Sequence, residues 1–160
     1  MQSKLPVQKA TPPRVQDPST APLPEVASRL RLAVMRLSRR LRQHASVGIT
    51  QSQLSALATI VVEERITLSR LAEAERVQPP SITRVVDTLV SQGFATRTQS
   101  EEDRRVAWVA ATDTGRALIE TVRRQRDAYL AQRLRTFSPE DRVVLARAAV
   151  LLERLTEDPR

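Results

Sequence analysis

Apolar residues recur every three to four positions along most of this chain, and that period predicts helices. Val26, Leu30, Ala33, Leu37 and Leu41 mark a long helix over 24–45, opened by Pro24, which a first helical turn tolerates. Thr50-Gln51-Ser52-Gln53 is a capping box that starts a second helix, with Leu54, Leu57, Ala58 and Val61 as its inner face to about residue 62. Thr67 is positioned to cap a short helix over 68–74, where Leu68, Leu71 and Ala72 face inward. Pro79-Pro80 bars helix at the residue before it and sets the start of the next helix near Ser81. That helix, 81–92, carries Ile82, Val85, Val86, Leu89 and Val90 on one stripe. Gly93 stands where a C-terminal cap needs a left-handed residue, and Phe94 can close back on the stripe.

The pattern then changes. Residues 94–98 and 106–111 are rich in Thr and Val with a rough alternation, which predicts two antiparallel strands around the polar, glycine-free loop 99–105. Thr112 followed by Asp113 opens a long helix with Leu118, Val122, Tyr129, Leu130 and Phe137 as its apolar positions. Ser138-Pro139-Glu140-Asp141 starts a last helix bearing Val144, Leu145, Ala148, Leu151, Leu152 and Leu155. Residues 1–23 hold Pro6, Pro12, Pro13, Pro18 and Pro22 without an apolar period and are expected to be a disordered extension.

With 160 residues, the chain suffices for one domain with a real core plus tails. A net charge of +8 favours a polyanionic partner, nucleic acid ahead of a membrane surface. No apolar run approaches the roughly 20 residues that span a bilayer, so a soluble, cytoplasmic protein with no membrane role is expected. The absence of cysteine removes disulfides and thiolate chemistry, and a lone histidine makes a zinc site improbable. His44 reads as a solvent-facing or capping residue, and the arginines of the first helix mainly as a solvated face. No nucleophile with a base, paired acids or glycine-rich phosphate loop supports an enzyme, and no cofactor is expected.

The second face of helix 81–92 shows Ser81, Thr83, Arg84, Asp87, Thr88 and Ser91. It is short, polar and basic near its start, which suits a helix reading base edges in a major groove. Ser81, Thr83, Arg84 and Thr88 are the base-reading candidates, and Ser52, Ser69 and Arg70, near helix starts, the phosphate candidates. Asp87 is expected in a surface salt bridge, Arg97 on an acid or the DNA backbone, and Trp108 packed against the body. The last helix is too apolar to stand alone, and a second copy of the chain is the economical partner. Two reading helices related by a twofold would then address a pseudo-palindromic operator in double-stranded DNA.

Taken together, Leu68-Ser69-Arg70-Leu71-Ala72, Pro80 through Leu89, Gly93 through Arg97, Glu102-Asp103-Arg104-Arg105 and Thr112-Asp113-Thr114-Gly115 resemble the MarR family (multiple-antibiotic-resistance regulators). The order and spacing carry the resemblance; any one motif alone is weak. Gln78, Pro79 and Ala111 depart from the family pattern of a Ser, a polar residue and a larger aliphatic. The resemblance implies a mainly α fold with a two- or three-stranded wing, a winged helix-turn-helix carried on long N- and C-terminal dimerisation helices. On that basis residues 24–158 form the domain, with dimerisation helices 24–46 and 113–156 and a DNA-binding head 50–112. It also implies that Asp103 orients Arg105 into the minor groove with Arg104 on phosphate, the two arginine roles being exchangeable. The function implied is a homodimeric repressor responsive to a small anionic or phenolic effector. Two other readings are an architectural protein without sequence preference, separated by the ratio of specific to random DNA affinity, and a helical adaptor, separated by weak binding even at low salt.

Overall fold

A computed structural model describes residues 21–45, 48–100, 102–103 and 106–157. Six helices and three strands follow in the order α1 (Leu23–Gln43), α2 (Gln51–Glu63), β1 (Arg65–Thr67), α3 (Leu68–Ala74), α4 (Pro79–Ser91), β2 (Ala95–Gln99), β3 (Ala107–Ala111), α5 (Asp113–Leu134) and α6 (Pro139–Arg154). The chain divides within α1 into a unit 1–39 and a unit 40–160. The first 20 residues, expected to be an extension, lie outside the described residues.

The caps expected from sequence are made. Thr50 accepts from the Gln53 amide at 3.3 Å while the Gln53 side chain accepts from the Thr50 amide at 2.7 Å, completing the capping box of α2. Thr67, Thr112 and Ser138 accept from the Arg70, Gly115 and Asp141 amides and open α3, α5 and α6. At the far end of α4, Gly93 takes φ +76°, its amide donates to the Val90 carbonyl and the Phe94 amide to that of Leu89. These two bonds form a Schellman cap, for which glycine is the least strained residue.

The core of the second unit is built around α2, which packs on α3, α4, α5, β1 and β3. Leu57 and Ile60 are fully buried there, with Leu71, Val86, Leu89, Val109 and Val122 around them. Sequence periodicity predicts Ala58 and Val61 on the inner face; they are only partly buried, whereas Ala56 and Ile60 are sealed because α2 is enclosed on several sides. Each such aliphatic contributes about 1.5–3 kcal/mol on burial, against about 0–1 for a surface ion pair like Arg70–Glu73. Packing on α2 therefore outweighs the salt bridges in holding this unit.

The three strands pair antiparallel in the order β1-β3-β2. Strand β1 is not foreseen by residue pattern: three residues carry no period, and they become a strand only by pairing with β3. The register sets the faces. Ile66, Ala95, Val109 and Ala111 are buried on one, so Arg65, Thr67, Thr98 and Trp108 occupy the other. The expectation that Trp108 packs against the body is thus corrected: it is half-buried on the outer face, under the Arg65 guanidinium at 4.4 Å from the ring centroid.

The Thr112 hydroxyl, which accepts from Gly115, also donates to the Gly93 carbonyl at 2.7 Å, and the Thr112 amide donates to Phe94 at 3.0 Å. Gly115 packs so closely on this turn that a Cβ would fall on the Phe94 carbonyl oxygen. Gly115→Ala is expected to lower unfolding free energy by about 1–3 kcal/mol through overpacking, read from the urea midpoint at unchanged slope. Gly48→Ala, where an added Cβ meets nothing within 4 Å, isolates the cost of a left-handed residue, about 1–2 kcal/mol.

Candidate nucleic-acid interface

Helix α4 begins at Pro79, two residues before the sequence prediction, because both prolines fit the first turn where no amide is needed. Its N-cap, Gln78, makes no side-chain cap bond. Ile82, Val86 and Leu89 are buried, Val85 is partly buried and Val90 is exposed, so the inner stripe is narrower than its apolar residues suggest. On the outer side Ser81, Arg84, Asp87 and Ser91 are exposed, with Thr83 and Thr88 half-buried at its flanks.

The connection from α3 into α4 is a second Schellman turn. The Val77 amide donates to Ala72 and the Arg76 amide to Glu73, both at 3.0 Å, with Arg76 at φ +52°. No glycine announces this turn, so Arg76 adopts a left-handed conformation that costs a β-carbon-bearing residue about 1–2 kcal/mol. The Glu75 carboxylate accepts from the Thr59 hydroxyl at 2.6 Å, tying the end of α3 to α2. Sequence pattern gives no hint of that bond, because its partners lie on different elements.

Of the phosphate candidates, Ser52 is exposed at the start of α2 and lines, with Ser81, Gln51 and Ser55, one cleft of about 320 Å³ between α2 and α4. Ser69 and Arg70 are exposed at the start of α3, where Arg70 pairs with Glu73 at 2.9 Å. The hairpin turn is held by bonds from the Ser100 amide to Val106 and from the Val106 amide to Asp103, both at 2.9 Å. Arg104 and Arg105 lie outside the described residues.

Asp87 and Arg97 link the outer side of α4 to the sheet. Arg97 pairs in register with buried Val109 and therefore sits on the sheet face that packs on the core, and its guanidinium reaches the Asp87 carboxylate at 3.2 Å. The pair is the surface salt bridge expected for Asp87, and it joins the recognition-type helix to the wing.

Farther along, His44 stacks on Tyr129 with ring centroids 3.9 Å apart, and Arg133 lies 5.5 Å from the centre of the same ring. These residues, with Gln125, Gln132 and Thr136, line an open cleft of about 730 Å³. Arg126, on the same helix, keeps Nε and Nη2 buried without a hydrogen-bond partner among the described residues. No helix among the described residues is long and apolar enough to cross a membrane.

Residues 49–107 match the MarR family model. The chain is 42% identical over 134 residues to an uncharacterized HTH-type transcriptional regulator, Mb0904, of Mycobacterium bovis, covering 83% of this chain and 94% of that protein. It is 30% identical over 110 residues to the HTH-type transcriptional repressor MdtR of Bacillus subtilis, with 69% and 71% covered. Among solved structures, a MarR family protein from Bacillus stearothermophilus superposes with a TM-score of 0.71 at 27% identity over 84% of this chain and 96% of that one.

An Asp87→Asn, Arg97→Met double-mutant cycle is expected to give a coupling of about 0.2–1 kcal/mol in urea unfolding, the range for exposed pairs. A coupling above that range would mean the pair also braces the wing's packing.

Proposed function

This chain belongs to the MarR family of helix-turn-helix transcriptional regulators and is a DNA-binding protein; we propose that it acts as a homodimeric, effector-responsive repressor on a pseudo-palindromic operator. The observation that carries the DNA-reading part is the division of α4, which buries Ile82, Val86 and Leu89 and leaves Ser81, Arg84, Asp87 and Ser91 in solvent. In this reading Ser81, Thr83, Arg84 and Thr88 enter the major groove, and Ser52, Ser69 and Arg70 meet phosphates. Asp103, Arg104 and Arg105 serve the wing tip in the minor groove.

Dimerisation is supported by what the terminal helices leave uncovered. Neither α1 nor α6 has a buried residue, although both are rich in aliphatic side chains. Val144 and Leu151 of α6 and Leu155, its C-cap, are 62%, 57% and 70% exposed, a degree that an isolated chain would not sustain without self-association. A second copy covers them and brings two reading heads onto one face of the duplex, one helical turn apart. Repression is supported by the likeness to MdtR, a transcriptional repressor.

For the effector, the cleft by His44, Tyr129 and Arg133 offers aromatic stacking and a cation, the complement of a small phenolic or aromatic carboxylate anion. Such a ligand would shift the spacing of the heads by binding one arrangement of the dimer better than the other.

Selection of duplexes from a random pool is expected to return a palindrome with half-sites about one helical turn apart; a single undivided motif would refute the twofold reading. Arg84→Ala is expected to weaken binding to that duplex by about 1–3 kcal/mol and relax its selectivity. Leu151→Asp in α6 is expected to move the protein toward monomer in sedimentation velocity and to lower operator affinity with it. A protein that sediments as a monomer in the wild type would overturn the dimer.

A further inference from the structure

The reading face of α4 is poor in hydrogen-bond donors. The Thr83 hydroxyl donates to the Pro79 carbonyl, the Thr88 hydroxyl to that of Arg84, and the Ser91 hydroxyl to that of Thr88, at 2.9, 2.9 and 2.8 Å. The start of the helix adds none: Pro79 and Pro80 have no amide hydrogen, and the Ser81 and Ile82 amides already donate to the Gln78 carbonyl at 2.9 and 3.3 Å. What remains exposed is Pro80, Ser81, Arg84 and the Asp87 carboxylate, and the two half-buried threonines, their hydroxyls committed, have a methyl group left to offer.

A hydroxyl turned back to its own helix has spent its only proton, so it can accept from a base but not donate to one. Guanine offers two acceptors in the major groove and needs donors, which on this face only Arg84 supplies in a forked pair. Thymine offers a methyl group, and a methyl is what Thr83 and Thr88 have left to give. They flank Arg84 at one residue before and four after, one on each side of it around the helix. Thr83 lies in the N-terminal half of the helix, the part that reaches base edges in helix-turn-helix proteins.

We infer that Thr83, assisted by Thr88, is a specificity-determining residue that reads the 5-methyl group of thymine beside the base held by Arg84. This rests on the major-groove placement of α4 proposed above. The half-site then combines one guanine contact with thymines recognised by apolar contact, and loses affinity when those methyls are removed although every hydrogen bond of the base pair is kept.

The test uses the full chain and the half-site selected from the random pool. Each thymine is replaced in turn by deoxyuridine, which lacks the methyl, and dissociation constants are measured for wild type, Thr83→Val and Thr83→Ser. Removing one buried methyl is expected to weaken wild-type binding about fourfold at one or two positions. Thr83→Val keeps the methyl and is expected to bind within about twofold of wild type with the same sensitivity to deoxyuridine, the scale of a contact whose burial is unchanged. Thr83→Ser is expected to bind about fourfold more weakly to the thymine duplex and to be indifferent to deoxyuridine at one of those positions.

Wild type indifferent to deoxyuridine at every position, or Thr83→Val losing as much as Thr83→Ser, overturns the inference. If the selected duplex is still sensitive to Arg84→Ala, that failure leaves the DNA-reading assignment of α4 standing. If no duplex is enriched, or Arg84→Ala has no effect, the placement of α4 and this inference fall together.

Discussion

The hydroxyl of Thr112 holds two elements at once, accepting from the Gly115 amide at the start of α5 and donating to the Gly93 carbonyl at the end of α4. Gly93 is also the left-handed residue of the α4 cap, and Phe94, one position later, is the backbone against which Gly115 packs without room for a Cβ. Four residues thus fix where the recognition helix ends, where the sheet begins and where the long helix departs. That junction is a direct mechanical link between α5 and α4. A displacement of α5 has no soft loop at this point in which to dissipate, since close-packed contacts shift together instead of deforming singly.

The same logic applies on the opposite side of the reading helix. Asp87 and Arg97 tether α4 to β2, Thr59 and Glu75 tether α3 to α2, and the Schellman turn through Arg76 sets the angle between α3 and α4. Individually these are modest contacts. Collectively they make the head a body in which helix angle and wing position are not independent.

Much of this was legible in the sequence because the determining interactions are local. Thr50, Thr67, Thr112 and Ser138 each bond an amide three residues on, and such caps are written in neighbouring letters. The two-faced character of α4 was legible for the same reason; that Asp87 is paired was expected, but its partner Arg97, on another element, was not. What was hidden depends on partners distant in sequence. Strand β1 exists through β3, Ile60 is sealed because five elements converge on α2, and Trp108 faces outward because it alternates with Val109, which the pairing with Ile66 turns to the core. The start of α4 at Pro79 differs from the sequence expectation for another reason: a proline pair reads as a barrier to the preceding helix and equally as the first turn of the next. Arg76 escaped because a turn that ordinarily asks for glycine is made here by an arginine.

The outward setting of Trp108 has a practical side. It is the chain's single tryptophan, so all indole emission originates from this half-buried ring on the outer face of the sheet, beside the Arg65 guanidinium. The protein carries its own optical gauge of that hairpin, without a dye or an engineered label.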